Sequence, residues 1–195
     1  MSKIRVLAVD DEPYLLDLTK IFLENDPMIL VDLAGSGQEA LTLVGTTFYD
    51  CLISDYQMPS MDGLELLKNL RTSGWDVPFI LFTGKGREDV AVNALNLGAS
   101  FYLQKGGGVE AQFTELTNMV RRSAEIYRSK RELEESENRF RNLLQQSSDF
   151  ILIIDPEGFI NYCSSSVKRI VGRSDEEMLG KNVFDLIHPE DVGEM

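Results

Sequence analysis

Along the first 105 residues, short and nearly continuous apolar runs alternate with stretches in which apolar residues recur at helical spacing. Runs from Ile4 to Val9, Ile29 to Leu33, Cys51 to Ser54, Val77 to Phe82 and Phe101 to Leu103 predict strands covered on both faces, because a half-exposed strand would alternate. Between the first two runs, Pro13 suits a first helical turn and Leu15, Leu18 and Phe22 form one stripe behind it. Ser36 followed three residues later by Glu39 reads as a capping box ahead of Ala40, Leu41 and Val44. Leu64, Leu67 and Leu70 follow Gly63 at helical spacing, and Val90, Ala94 and Leu97 make a fourth stripe. This alternation predicts a parallel sheet with helices on both faces.

After Gly106-Gly107-Gly108 the texture changes. Val109 to Gln145 contains no Pro or Gly and is rich in Glu, Arg and Ser, which predicts one long helix or two nearly in line. Met119, Ile126, Leu133 and Phe140 recur every seven residues, whereas the companion seam, Ser123, Lys130 and Glu137, stays polar until Leu144. A single apolar column has two readings. It is either a weak coiled coil that pairs two copies through the helix after residue 109, or a solvated helix whose column packs on its own domain. From Phe150, the run ILII, a turn at Asp155-Pro156-Glu157-Gly158 and the run FINYC predict a hairpin, followed by short helical patterns.

With 43% apolar and 26% charged residues, the 195-residue chain has material for one large domain or two small ones with a real core. Its 19 basic against 32 acidic residues leave a net charge of −13, which disfavours a broad basic surface and hence a DNA partner within these residues. Cys51 and Cys163 are too few for a disulfide framework, and no apolar run has signal-peptide or membrane-span length. A cytoplasmic protein without a membrane partner is expected. Cys51 reads as a small core residue, Cys163 has no metal-spaced partner, and Trp75 reads as a cover on the core edge. His188, in a His-Pro-Glu-Asp turn, reads as structural rather than as a phosphorelay or haem histidine.

Chemistry in an open parallel sheet gathers at the carboxyl ends of the strands. Asp10 and Asp11 follow the first strand, Asp55 the third, Thr83 and Gly84 the fourth, and Lys105 the fifth. Three carboxylates, a hydroxyl and an ammonium are thus expected to converge. Such carboxylates raise one another's pKa unless a cation neutralises them, and an oxygen-only donor set suits a hard ion, Mg²⁺ with some of its waters. A carboxylate can also attack phosphorus and form an acyl phosphate. Asp55 would attack in line while Mg²⁺, Lys105 and Thr83 each hold one oxygen of the transferring group. The plainer reading, that each Asp only caps a helix or starts a turn, does not account for all the polar positions falling at strand ends together.

The segments VLAVDDEP, LISDYQMPSMDG, FILFTGKG and GASFYLQK resemble, in that order, the receiver domain of two-component response regulators over residues 3–122. The resemblance implies a flavodoxin-like, doubly wound five-stranded parallel sheet. It implies that Asp55 is the phospho-acceptor for a sensor histidine kinase, and that Asp10, Asp11, Asp55 and the backbone carbonyl of Gln57 ligate Mg²⁺. Thr83 and Lys105 become the phosphate-sensing pair, with Tyr102 an aromatic switch that moves with Thr83. Catalysis would be limited to self-phosphorylation and self-dephosphorylation. The family usually carries Pro after the lysine, with a cis bond; here Gly106 follows Lys105, and a cis bond without Pro costs about 2.5 to 4 kcal/mol. The sequence therefore leaves this link open between a cis bond and a trans, looser one.

A helical linker over 123–135 would lead to residues 136–195, which resemble the beginning of a PAS sensory domain and cover about half of its α+β fold. Gly180-Lys181-Asn182 is followed by Val183 where flavin-binding photosensors have Cys, which argues against covalent flavin chemistry. Two further readings are weighed. A haloacid-dehalogenase phosphatase also uses an aspartyl nucleophile, Mg²⁺ and Lys, but needs D-x-D where this chain has Asp10-Asp11-Glu12. A non-catalytic scaffold would use the acidic pocket only to bind metal.

Overall fold

The computed structural model describes residues 2–84, 88–146, 151–164 and 166–186. The chain divides into two compact units, Met1–Arg131 and Glu132–Met195. In the first, strands β1 (Ile4–Val9), β2 (Ile29–Ala34), β3 (Cys51–Ser54), β4 (Phe79–Thr83) and β5 (Phe101–Gln104) form one parallel sheet in the order β2-β1-β3-β4-β5. The intervening helices are α1 (Pro13–Glu24), α2 (Gly37–Thr46), α3 (Gly63–Thr72) and α4 (Glu88–Asn96). A long helix, α5 (Val109–Gln146), follows β5. This is the parallel sheet with helices on both faces that the alternation predicts, in the flavodoxin-like, doubly wound form that the resemblance implies.

Successive strand residues point to opposite faces, so each strand feeds two cores. Val6, Ala8, Ile53, Ile80 and Phe82 meet Leu16 and Leu23 of α1 and Phe113, Leu116 and Val120 of α5. Leu7, Val9, Leu52, Phe79 and Leu81 meet Ala40, Val44, Leu66, Leu67, Leu70, Val90 and Ala94 of α2, α3 and α4. Phe113 lies at the centre of the first core, stacked on Phe22 with ring centroids 4.4 Å apart and edge-on to Phe82 at 5.8 Å.

Element ends differ from the sequence reading in instructive ways. β4 begins at Phe79 because Val77 and Pro78 precede the ladder; Pro78 has no N–H to give, and only its carbonyl is used, accepting from the Leu52 amide. β4 also runs on to Thr83 and β5 to Gln104, where the two residues pair. At α2, Ser36 Oγ accepts from the Glu39 amide at 3.2 Å, but the Glu39 carboxylate takes the Gly35 amide, so the capping box is only half formed. A complete box stands at α3, between Asp62 and Glu65.

The Lys105–Gly106 peptide is trans. Of the heptad column on α5, only Met119 packs against the first unit's core. Ile126, Leu133 and Phe140 are 61%, 61% and 56% exposed, so the reading in which the column packs on its own domain fails for these three.

In the second unit, β6 (Leu152–Ile154) and β7 (Ile160–Cys163) form an antiparallel hairpin. Asp155 Oδ1 accepts from the Glu157 and Phe159 amides across its turn, and Gly158 supplies the positive φ of 89°. Helices α6 (Val167–Val171) and α7 (Asp175–Met178) and a 3₁₀ turn (Val183–Leu186) complete the described part, around Ile160, Cys163, Val167 and Met178. These strands and short helices match the partial PAS expectation. Phe150 and His188 lie outside the described residues.

Candidate functional site

Asp10 leaves β1 with its amide donating to the Ala34 carbonyl, and its Oδ1 accepts from the Glu12 amide at 2.9 Å. That turn points its other oxygen back over the sheet. Asp55 leaves β3, held by its amide on the Val9 carbonyl and by Oδ2 on the Gln57 amide at 2.6 Å. Lys105 joins the two. Its amide donates to the Thr83 carbonyl beside it, and its Nζ lies 2.9 Å from Asp10 Oδ2 and 2.8 Å from Asp55 Oδ1. Burial would push this ammonium down, but hydrogen bonds and charge from Asp55 and Asp10 outweigh it and raise the pKa above the ordinary lysine value. The Phe82 ring, 5.2 Å from Nζ, lines the lysine's path.

Thr83 is buried at the end of β4. It shares a sheet face with Tyr102, because Thr83 pairs with Gln104 and Leu81 with Tyr102, and residues two apart on a strand point the same way. Tyr102 is half-buried against the α3 and α4 core, and burial raises its phenol pKa. Asp11 is exposed, and it lines with Gln57, Tyr56 and Asp62 a cavity of about 420 Å³. Of the three carboxylates expected to converge, Asp10 and Asp55 meet at Lys105, and Asp11 faces the adjoining cavity. Among the described residues no group of three acidic, histidine or cysteine side chains is arranged to hold a metal, because Asp10 turns inward to Lys105 while Asp11 turns out. The donor chemistry still fits Mg²⁺: every candidate atom is oxygen, and Asp11 and Gln57 face one cavity.

Two supports escaped the sequence reading. Gly63, the first residue of α3, sits where a Cβ would lie 2.3 Å from the Asp55 carbonyl oxygen and 2.8 Å from Leu81 Cδ1. Its amide donates to the Tyr56 carbonyl, so the backbone after Asp55 folds tightly under α3. Ser54, fully buried, donates from Oγ to the Asp55 carbonyl at 2.8 Å. The Met-Asp-Gly run before the third helical stripe carried a signal for the first; nothing in the sequence marked the second.

Residues 6–121 match the family model of the response regulator receiver domain, and residues 138–195 match that of the PAS fold. The transcriptional regulatory protein TrcR of Mycobacterium tuberculosis is 35% identical over 127 residues, 65% of this chain and 49% of that protein. The response regulator MprA of Mycobacterium leprae is 34% identical over 61% of this chain and 52% of its own length. The chain therefore spans about half the length of these curated relatives. A solved receiver domain protein from Clostridium thermocellum superposes with a TM-score of 0.57 at 27% identity, covering 64% of this chain and 97% of that one. The signal receiver domain of an HD domain-containing protein from Pseudomonas fluorescens gives 0.59 at 26%, over 65% and 98%. No described helix is long and apolar enough to cross a membrane. By its motifs, its sheet and these matches, the chain belongs to the response regulator receiver family, and residues 138–195 after the receiver match the PAS fold model.

Proposed function

We propose that Asp55 accepts a phosphoryl group from the phosphohistidine of a sensor histidine kinase, and that the phosphorylated receiver switches a PAS-linked output in the cytoplasm. The observation that supports this most is the Lys105 ammonium held between the Asp10 and Asp55 carboxylates at 2.9 and 2.8 Å. A carboxylate oxygen of Asp55 attacks phosphorus, the bond from phosphorus to the kinase imidazole nitrogen breaks, and that nitrogen leaves with the electron pair and is reprotonated. The product is an acyl phosphate.

Lys105, already within reach, moves its charge from the carboxylate to a phosphoryl oxygen, and Thr83 binds another through its hydroxyl. Asp10, Asp11, Asp55 and the backbone carbonyl of Gln57 would hold Mg²⁺, which when bound supplies positive charge against the phosphoryl oxygens. Self-dephosphorylation reverses the modification by attack of water on the same phosphorus. Thr83 and Tyr102, on one sheet face, carry the switch: Thr83 follows the phosphate and Tyr102 follows Thr83. In this reading the receiver is 3–122, the helical linker 123–135 and the PAS segment 136–195. A second copy of the chain pairs along Ile126, Leu133 and Phe140, whose exposure on α5 supports that contact.

Acetyl phosphate or phosphoramidate with Mg²⁺ should add one phosphoryl group per chain by intact mass, and Asp55→Asn should abolish it. Equal labelling of the Asn variant would remove Asp55 from the role, and turnover of small phosphate esters would favour the phosphatase reading instead.

A further inference from the structure

The receiver unit carries a second cavity, of about 500 Å³, at the opposite end of the sheet from Asp55. Pro78 and Phe101, where the chain enters β4 and β5, form its floor, and α5 forms its wall with Ser123, Ile126 and Tyr127. Its volume lies in the range of small-molecule sites.

Two independent features point to the kind of occupant. Ser123 is 4% exposed, and its hydroxyl has no hydrogen-bond partner among the described residues. A serine inside a helix commonly returns its proton to a carbonyl one turn back, and this one does not. A buried hydroxyl without a partner is unfavourable, and a polar atom placed in the cavity would relieve it. The second feature is charge. In a chain of net charge −13, Arg71, Arg122 and Lys130 line this cavity against the single carboxylate of Asp76.

The Arg71 guanidinium is fixed by Nη1 on the Trp75 carbonyl at 2.6 Å and by Nη2 on the Val77 and Gly98 carbonyls at 3.0 and 2.9 Å. Those acceptors are neutral, so its charge persists in the wall. Arg122 is exposed and makes no ion pair among the described residues. Beside these cations, Phe101, Ile126 and Tyr127 offer an apolar surface.

We propose that this cavity binds a small organic anion with an apolar body, of the aromatic carboxylate class. The negative group would lie toward Arg122, with a polar atom on Ser123 Oγ. Such a ligand would bridge α5 to the turns that lead into β4 and β5, far from the phosphoryl chemistry.

Fluorescence titration of the full chain with anilinonaphthalene sulfonate, an aromatic anion, tests the site. The expected result is saturation at one dye per chain, with displacement by benzoate and not by benzylamine. Arg122→Glu should weaken binding by at least about tenfold. Ser123→Ala should weaken it by about threefold, with the melting temperature unchanged or raised because a hydroxyl without a partner is removed. Leu133→Glu, on the exposed column, should leave the affinity unchanged. Unsaturable binding, equal binding by the Arg122→Glu chain, or loss of binding on Leu133→Glu would overturn the proposal. So would an affinity that rises with protein concentration, which would place the dye between copies.

Discussion

The two ends of β3 carry two aspartates in opposite situations. Asp50, just before the strand, has a side chain 2% exposed and receives the Arg128 fork, Nε on Oδ1 at 2.6 Å and Nη2 on Oδ2 at 2.7 Å. The Arg5 amide adds a third bond at 2.7 Å, and Arg128 donates further to the Ser2 and Lys3 carbonyls. Asp55, just after the strand, has one backbone donor and a lysine it shares with Asp10.

The Arg128 fork matches both oxygens of one carboxylate and also serves the Ser2 and Lys3 carbonyls, so moving it would leave the buried Asp50 carboxylate without its countercharge. The Lys105 ammonium is a point charge on a flexible stem, already divided between two acids, and can turn to a third anion at little cost. Nearness of acid and base therefore does not distinguish a structural pair from a reactive one. What distinguishes them is whether the partners have bonding capacity left.

The largest effect that would break this contrast concerns stability. Asp50→Ala should destabilise the receiver by about 3 kcal/mol in urea denaturation, since it strands a partly buried arginine. Folded Asp50→Ala protein should still accept one phosphoryl group. Asp55→Asn should change stability by less than about 1 kcal/mol, because the Asn oxygen can still take the Gln57 amide. If the two variants exchanged these effects, the distinction would fail.

Gly63→Ala comes next, at about 2 kcal/mol, because its new methyl group meets the Asp55 carbonyl and Leu81. It should also slow labelling by phosphoramidate, since Asp55 must shift to make room. An unchanged labelling rate would show that the reactive end tolerates movement of its backbone.

Leu133→Glu tests whether α5 beyond Arg128 acts separately from either end. Sedimentation velocity should show weaker self-association, with urea stability of the receiver and phosphoryl acceptance intact. A wild-type chain that stays monomeric with and without phosphodonor would remove the helix pairing.

The smallest effect is alkaline. The Lys105 pKa is raised on folding, so the stability from its ion pairs is fully present below the ordinary lysine value and is lost as pH rises through the higher folded value. Arg128 keeps its charge there, so the Asp50 end should hold. Tyr49, raised to about 12 by burial and by Asp32, loses stability in the same direction from about pH 10 upward. In a Tyr49→Phe background, urea denaturation between pH 9 and 12 should therefore fall more steeply with Lys105 present than in Lys105→Met. Parallel curves would mean that the lysine gains nothing from its two acids.

The strands, the helices between them and the long α5 were legible because each is written in a local period, continuous for a doubly covered strand and near 3.6 for a helix. The same reading put Asp10, Asp55, Thr83 and Lys105 at strand ends, since a residue that follows an apolar run in a parallel sheet emerges at its carboxyl edge. Direction was not legible. Asp10 and Asp11 are adjacent in the chain, yet only Asp10 meets Lys105, because neighbouring side chains leave a strand end on opposite sides.

Tertiary structure alone decided the contacts between distant residues. Asp50 and Arg128 are 78 positions apart, and no spacing rule joins them; they meet because α5 runs back past the start of β3. Gly63 is a sensitive position only because α3 begins against the Asp55 carbonyl, and Ser123 is buried only because that turn of α5 packs against the sheet, where its hydroxyl has no partner among the described residues. The exposure of Ile126 and Leu133 follows from the same cause in reverse. A period says which residues share a face, whereas burial of that face depends on what the fold places opposite it.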